Sequence, residues 1–145
     1  MRAIPLAVGV ICLLMSCTKP GAAKDDATAN SPFPQKGTYH VVHVRVQGNE
    51  SQRDESDSEV DVVDREKLEA ELSKDAGGNC HDKQVSIGDH SFAAHMLCDA
   101  PDGDFHNISV DRFGSFSPSS FEMTTQSTLL GTSFQETYSA HLKAN

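Results

Sequence analysis

Cys80 and Cys98 bracket a segment that reads as two arms about a turn. Val85 and Ile87 alternate on one arm, and Phe92, Ala94 and Met96 on the other, with Gly88-Asp89-His90 between them. A period of two places alternate side chains on one face of a strand, and Gly-Asp is turn chemistry. Folded about Asp89, the segment sets Cys80 opposite Cys98. Pairing of the two sulfurs would close a loop and contribute about 3 kcal/mol in the chain-entropy picture. The competing use of the same residues is a metal site made with His81 and His95. It lacks the close Cys-x-x-Cys spacing that zinc sites usually show.

Which use applies depends on compartment, because disulfides persist in oxidising spaces. The N-terminus speaks to that. Arg2 is the only charge before Lys19, and residues 4–15 are apolar except for Pro5 and Gly9. A positive start followed by a short apolar run is a secretory signal. The run falls short of the roughly 20 residues a membrane-spanning helix needs. Leu14-Met15-Ser16-Cys17 resembles the bacterial lipobox, in which the chain is cut before a cysteine that carries a diacylglycerol. Stable anchoring takes more than one acyl chain. An ordinary signal peptide cut near Ser16 or Ala22, leaving a soluble periplasmic protein, is the competing reading. On the lipobox reading, residues 1–16 are a lipoprotein signal peptide, and Cys17 is the lipidation site. Thr18 stands where an Asp would resemble an inner-membrane retention signal. The expected location is therefore the bacterial cell envelope, with the periplasmic face of the outer membrane favoured.

Removing the leader leaves enough chain for one domain of modest size. The full chain carries a net charge of -9, and loss of Arg2 makes it one unit more negative. An acidic chain without a basic cluster argues against nucleic acid and against electrostatic docking on anionic lipid. The expected membrane contact is therefore the N-terminal lipid alone. Residues 17–36 read as a flexible tether, rich in Pro, Ala, Asp, Asn and Ser, with little to bury. The domain proper is expected over residues 37–145. Hydrophobic residues make up 37% of the chain and there is no Trp, so the core must be thin and a staple would matter.

Within residues 37–47, Val42, Val44 and Val46 alternate with His43, Arg45 and Gln47, the period of a half-buried strand. Tyr39 and Val41 fall on its second face. Residues 48–58 are polar and acidic and read as a loop. Residues 61–75 are the helix candidate: Asp61 or Asp64 can cap it, Val63, Leu68 and Leu72 form a narrow stripe, and Gly77-Gly78 ends it. After the hairpin arms, residues 105–113, 121–126 and 134–142 read as further strands, with turn residues between. Phe134, Tyr138, Ala140 and Leu142 share one face of the last. The expected fold is mainly β: an antiparallel meander sheet of about five strands with one short helix, preceded by signal peptide and tether.

Gly37-Thr38-Tyr39, the short helix, the spacing from Cys80 to Cys98, Val85-x-Ile87-Gly88 and the run from Gly114-Ser115-Phe116-Ser117 to Phe121-x-Met123 together resemble the bacterial envelope family known as domain of unknown function 3617. The matching part runs over residues 37–142. Tyr39 stands where that family usually has Trp, and two of its usual cysteines are absent, so the resemblance implies a diverged, single-disulfide member. The family carries no established activity and no catalytic residues.

The motifs of common chemistries are missing. There is no phosphate loop, dinucleotide fingerprint, His-Glu-x-x-His or Gly-x-Ser-x-Gly elbow. No cofactor and no catalytic residue is implied. Seven histidines are scattered. His40 and His43 fall on opposite faces of a strand, whereas His81, His95 and His106 could in principle share a zinc or copper ion. Asp99, Asp102 and Asp104 lack the twelve-residue spacing of a calcium loop. The sequence thus points to a non-enzymatic binding or structural module with an unknown envelope protein partner. A small apolar-ligand carrier and a metal-binding envelope protein using the hairpin histidines are the alternatives.

Overall fold

Antiparallel hairpins organise most of the chain. The computed structural model describes residues 31–144; the leader, Cys17 and tether residues 17–30 lie outside the described residues. β1 (Thr38–Gln47) and β2 (Glu50–Glu59) are joined by Gly48-Asn49, with Gly48 at φ 57°. Helix α1 (Arg65–Leu72) follows. The chain then runs through β3 (Asn79–Ile87), β4 (Ser91–Asp99), β5 (Ile108–Ser117), β6 (Ser120–Leu129) and β7 (Thr132–Leu142). The β6–β7 turn holds Leu130 at φ 50° and Gly131 at φ 79°, a left-handed pair whose twist suits a two-residue hairpin.

Among the described residues, seven antiparallel strands form one sheet in the order β2-β1-β7-β6-β5-β4-β3. β3 to β7 are the meander expected from the sequence. The strand beyond expectation is β2, because the acidic run read as a loop is an edge strand paired with β1 along its whole length. Strand β2 lies at one edge and β3 at the other, six strand spacings or roughly 29 Å apart. The connection between them must cross the sheet, and it crosses one face, carrying Val60, Val62 and α1 over it.

That crossing makes one face the core. Tyr39, Val41, Phe92, Ala94, Phe116, Phe121 and Ala140 point from the strands toward Val60, Val62, Leu68 and Leu72. Large and small residues alternate across the register: Ala140 sits between Val41 and Phe121, and Gly114 between Phe92 and Met123. At Gly114 a Cβ would overlap the carbonyl oxygen of Glu122 and press on the Phe92 ring. The rings of Phe92 and Phe121 stack at 5.6 Å, and Phe33 stacks on Phe116 at 4.7 Å.

Phe33 and Pro34 fall in the segment that composition assigns to the tether, yet Pro34 is buried and Phe33 is partly buried against the core. Gln35 N–H donates to Pro118 O at 3.0 Å, and the Tyr39 hydroxyl donates to Gln35 O at 2.8 Å. Residues 31–36 are therefore docked on the domain. The valine stripe of β1 lies on the other face. The covered face of β1 takes Tyr39 and Val41 instead, and Val42, Val44 and Val46 are only half-buried.

The helix is shorter than the expected residues 61–75. Asp64 caps its N-terminus by accepting from Lys67 N–H at 2.8 Å. There is no basic residue in its last turn, although the exposed carbonyls there carry partial negative charge. The sheet supplies the cations. Arg112 of β5 donates from one guanidinium nitrogen to the carbonyls of Glu71, Leu72 and Lys74 at 2.8–3.0 Å. Lys83 of β3 donates to Ser73 O at 2.8 Å. Arg112 is buried, and burial works against its charge, while the carboxylates of Glu71, Glu136 and Asp75 work for it.

Candidate functional site

The disulfide is the one expected site that falls within the described residues. Cys80 on β3 and Cys98 on β4 are directly opposed in register and bonded, with Cα atoms 4.0 Å apart. Both are buried beside Met96, Val110 and Ala76, beneath the segment that leaves the helix. The bond ties edge strand β3 into the sheet at a point where the core has few other side chains. Cys17 lies outside the described residues.

Of the three histidines that could share a metal, His81 and His106 both approach Asp99, and His95 stands apart from them. His95 on the uncovered face of β4 pairs with Asp111 of β5 at 2.8 Å. His81 pairs with Asp82 at 3.2 Å and lies 3.9 Å from Asp99, whose carboxylate also meets His106 at 3.3 Å. A β-bulge between His81 and Gln84, with Asp82 at φ 50°, breaks the register between the hairpin arms there. Among the described residues no group of three or more His, Cys, Asp or Glu is arranged to hold a metal ion. His40 and His43 take opposite faces, as their spacing requires. His40 reaches Glu55 and Asp57 of β2, and His43 reaches Glu136 of β7 at 2.7 Å.

The Asp99 and Asp102 carboxylates serve their own loop. Asp99 accepts from Asn107 N–H at 3.0 Å, which holds its carboxyl below the usual range, and Asp102 accepts from Asp104 N–H.

What remains is a surface. The face opposite the helix shows Ser, Thr, Gln and His side chains across seven strands, with Val42, Val44 and Val46 at one side and Phe113, 42% exposed, near the middle. A Thr124–Thr137 hydroxyl contact at 3.2 Å and a Gln126–Gln135 amide contact at 3.2 Å bridge neighbouring strands on it. A shallow groove of about 570 Å³ crosses it between β3 and β6, with Ala93 and Phe113 as its apolar part and Gln84, His95, Asp111 and Gln126 as its polar part.

At the β2 side this face carries Glu55, Asp57 and Glu59 against Arg53, Lys143 and His40. The Lys143 ammonium, 2.6 Å from Asp57, holds that carboxyl below the usual range, and His40 adds to the effect. Arg53 does the same for Glu55 at 2.7 Å. Sequence reasoning missed this strand. The signal that could have found it is Gly48-Asn49 directly after a strand, a two-residue hairpin dipeptide.

No family model matches the chain, and neither a curated protein nor a solved structure is significantly similar to it.

Proposed function

We propose that this protein is a bacterial envelope lipoprotein, held to the membrane by acyl chains on Cys17, whose domain acts as a non-enzymatic binding or structural module on the periplasmic side. The reading extends the resemblance to domain of unknown function 3617, as a diverged member with a single disulfide. The observation that carries it is the division of the sheet. Helix and aromatic side chains cover one face, and the other is a broad polar surface on a scaffold stapled by Cys80–Cys98. Such a face suits contact with a partner, because backbone and ladder side chains hold its shape before anything binds. The buried disulfide supports an oxidising compartment.

Mass spectrometry of the protein purified from its own membranes without reductant tests the anchor and the staple together. The expected result is an N-terminal Cys17 bearing acyl chains and a Cys80–Cys98 crosslinked peptide. Cys17→Ser should move the protein from the membrane to the soluble fraction; retention in the membrane would remove the anchor from the reading. The groove at Ala93 and Phe113 favours a second reading, carriage of a small ligand. That reading requires a bound small molecule in the protein's mass spectrum under native conditions.

A further inference from the structure

The two edges of the sheet are finished differently. β3 carries the devices that keep an edge strand from pairing with strangers: a bulge at residues 81–84, a left-handed residue at Asp82, and Lys83 turned onto the helix end, 2.6 Å from Asp75. β2 has no bulge and no left-handed residue, and what guards it against strangers is charge. It runs ten residues in unbroken register with β1, without Pro, Gly or Lys, and all ten residues are exposed.

Which of its main-chain groups are free of partners among the described residues follows from the hairpin. The Gln47–Glu50 pair closes a two-residue turn, so in β2 the even-numbered residues bond inward to β1. The other side of β1 agrees, because Thr38 and Gly48, also even, bond toward the β7 side, through Lys143 N–H and Ser133 O. The outward N–H and C=O groups of β2 therefore belong to Ser51, Arg53, Glu55, Asp57 and Glu59. The side chains of these same residues stand on the uncovered face.

We infer that the free edge of β2 is a docking site for an extended basic segment of a partner protein, which adds to the sheet as an eighth strand. The main chain supplies the binding ladder, as in other strand-addition interfaces. Charge selects the occupant. β2 holds five carboxylates and one arginine, and a second copy paired edge to edge would bring like charges together. Along the outward row Glu55 pairs with Arg53 and Asp57 with Lys143, and Glu59 leaves the row with an acidic excess, which favours Lys or Arg at alternate residues of the incoming strand. The site is a property of the folded domain and stands whether or not Cys17 carries lipid.

The test uses the full chain and two synthetic ten-residue peptides of alternating Lys and Thr, one of them N-methylated at every second residue on its pairing edge. Methylation keeps the charge and removes the ladder donors. The unmethylated peptide should slow hydrogen exchange at the amides of Arg53, Glu55 and Asp57. The methylated one should bind at least about tenfold more weakly. Glu55→Pro, which removes an outward donor and no inward one, should abolish the protection at β2 while exchange in β4 to β6 stays as in the parent. The triple variant Glu55→Gln, Asp57→Asn, Glu59→Gln should weaken binding about tenfold and flatten its salt dependence. Equal binding of both peptides would show mere ion pairing and overturn the inference. So would protection on another strand, no binding, or a dimer that Glu55→Pro dissolves.

Discussion

Arg112 shows how one residue joins two parts of the fold that share no local signal. Its guanidinium closes the helix from across the sheet, some forty residues away in sequence. Arg112→Met leaves three carbonyls at the helix end without that donor and should lower stability by about 2–3 kcal/mol in denaturant melts. All three acceptors meet a single nitrogen, and the buried Nε has no partner among the described residues. A lysine ammonium has three donors and brings no such orphan, so Arg112→Lys should retain more than half of what Arg112→Met loses. Equal losses would mean that guanidinium packing, and not the donors, is what counts. Gly114→Ala makes the complementary point. The added methyl meets backbone on one side and Phe92 on the other, and overpacking of this kind costs about 1–3 kcal/mol. At Glu136, burial would raise the pKa, but Arg45 at 3.0 Å and His43 at 2.7 Å outweigh it, and the carboxyl is held below its usual value. A depressed folded pKa gives stability that is present above the ordinary Glu range and lost as pH falls through it. The stability difference between the parent and Glu136→Gln should therefore be present above the ordinary Glu range and shrink as the solution is acidified below about pH 4.5. A difference that grows on acidification would contradict the assignment.

Among the elements, the staple is the part that the sequence states most openly. Turn chemistry at Gly88-Asp89 and alternation on both arms suggest Cys80 opposite Cys98, and the structure pairs them by a different route: at the turn Ile87 opposes Phe92, a register that would carry Cys80 to Asp99, and the bulge between His81 and Gln84 brings it opposite Cys98. Cys80→Ser with Cys98→Ser should cost about 3 kcal/mol. Hydrogen exchange should rise first in β3, which the bond holds at the sheet edge. Uniform loosening of all strands would place the effect in the unfolded chain alone. The meander was legible for similar reasons, and the helix cap as far as Asp61 or Asp64, since both rest on patterns of a few neighbouring residues. β2 was not legible, because a strand with no buried residue has no alternation to read. Its identity comes from the register that Gly48-Asn49 imposes against β1. The covered face of β1 was ambiguous in the same way. Val42, Val44 and Val46 look like the core stripe, but the crossover passes over Tyr39 and Val41, and nothing within ten residues of β1 reveals which face that will be. The hairpin histidines lie near one another in sequence, yet a one-residue bulge and three nearby aspartates divide them.

On the scale of the molecule, the chain enters and leaves the sheet at the same end. Gln35 meets Pro118, Leu142 N–H meets Ser119 O, and Lys143 N–H meets Thr38 O. The Gly48-Asn49 and Leu130-Gly131 turns lie at the opposite end, where Gly48 meets Ser133. An anchor of the proposed kind at Cys17 would therefore pull on the Pro118 end and leave the length of β2 to one side of the line of pull. The entry itself belongs to the domain. Phe33 lies parallel to Phe116, which carries the row on to Phe92 and Phe121, so removing Phe33 uncovers one end of the aromatic core. A chain beginning at Gly37 should be less stable than one beginning at Ser31 by about 1–2 kcal/mol, the worth of one partly buried aromatic and its stacking. Phe33→Ala in the longer chain should reproduce most of that loss. If the two chains melt alike, the contacts of residues 31–36 add nothing to stability, and the boundary at residue 37 that composition suggests is the energetic one as well. If the shorter chain is weaker and Phe33→Ala is not, the Gln35–Pro118 backbone bond and the Tyr39 hydroxyl, rather than the ring, hold the entry in place.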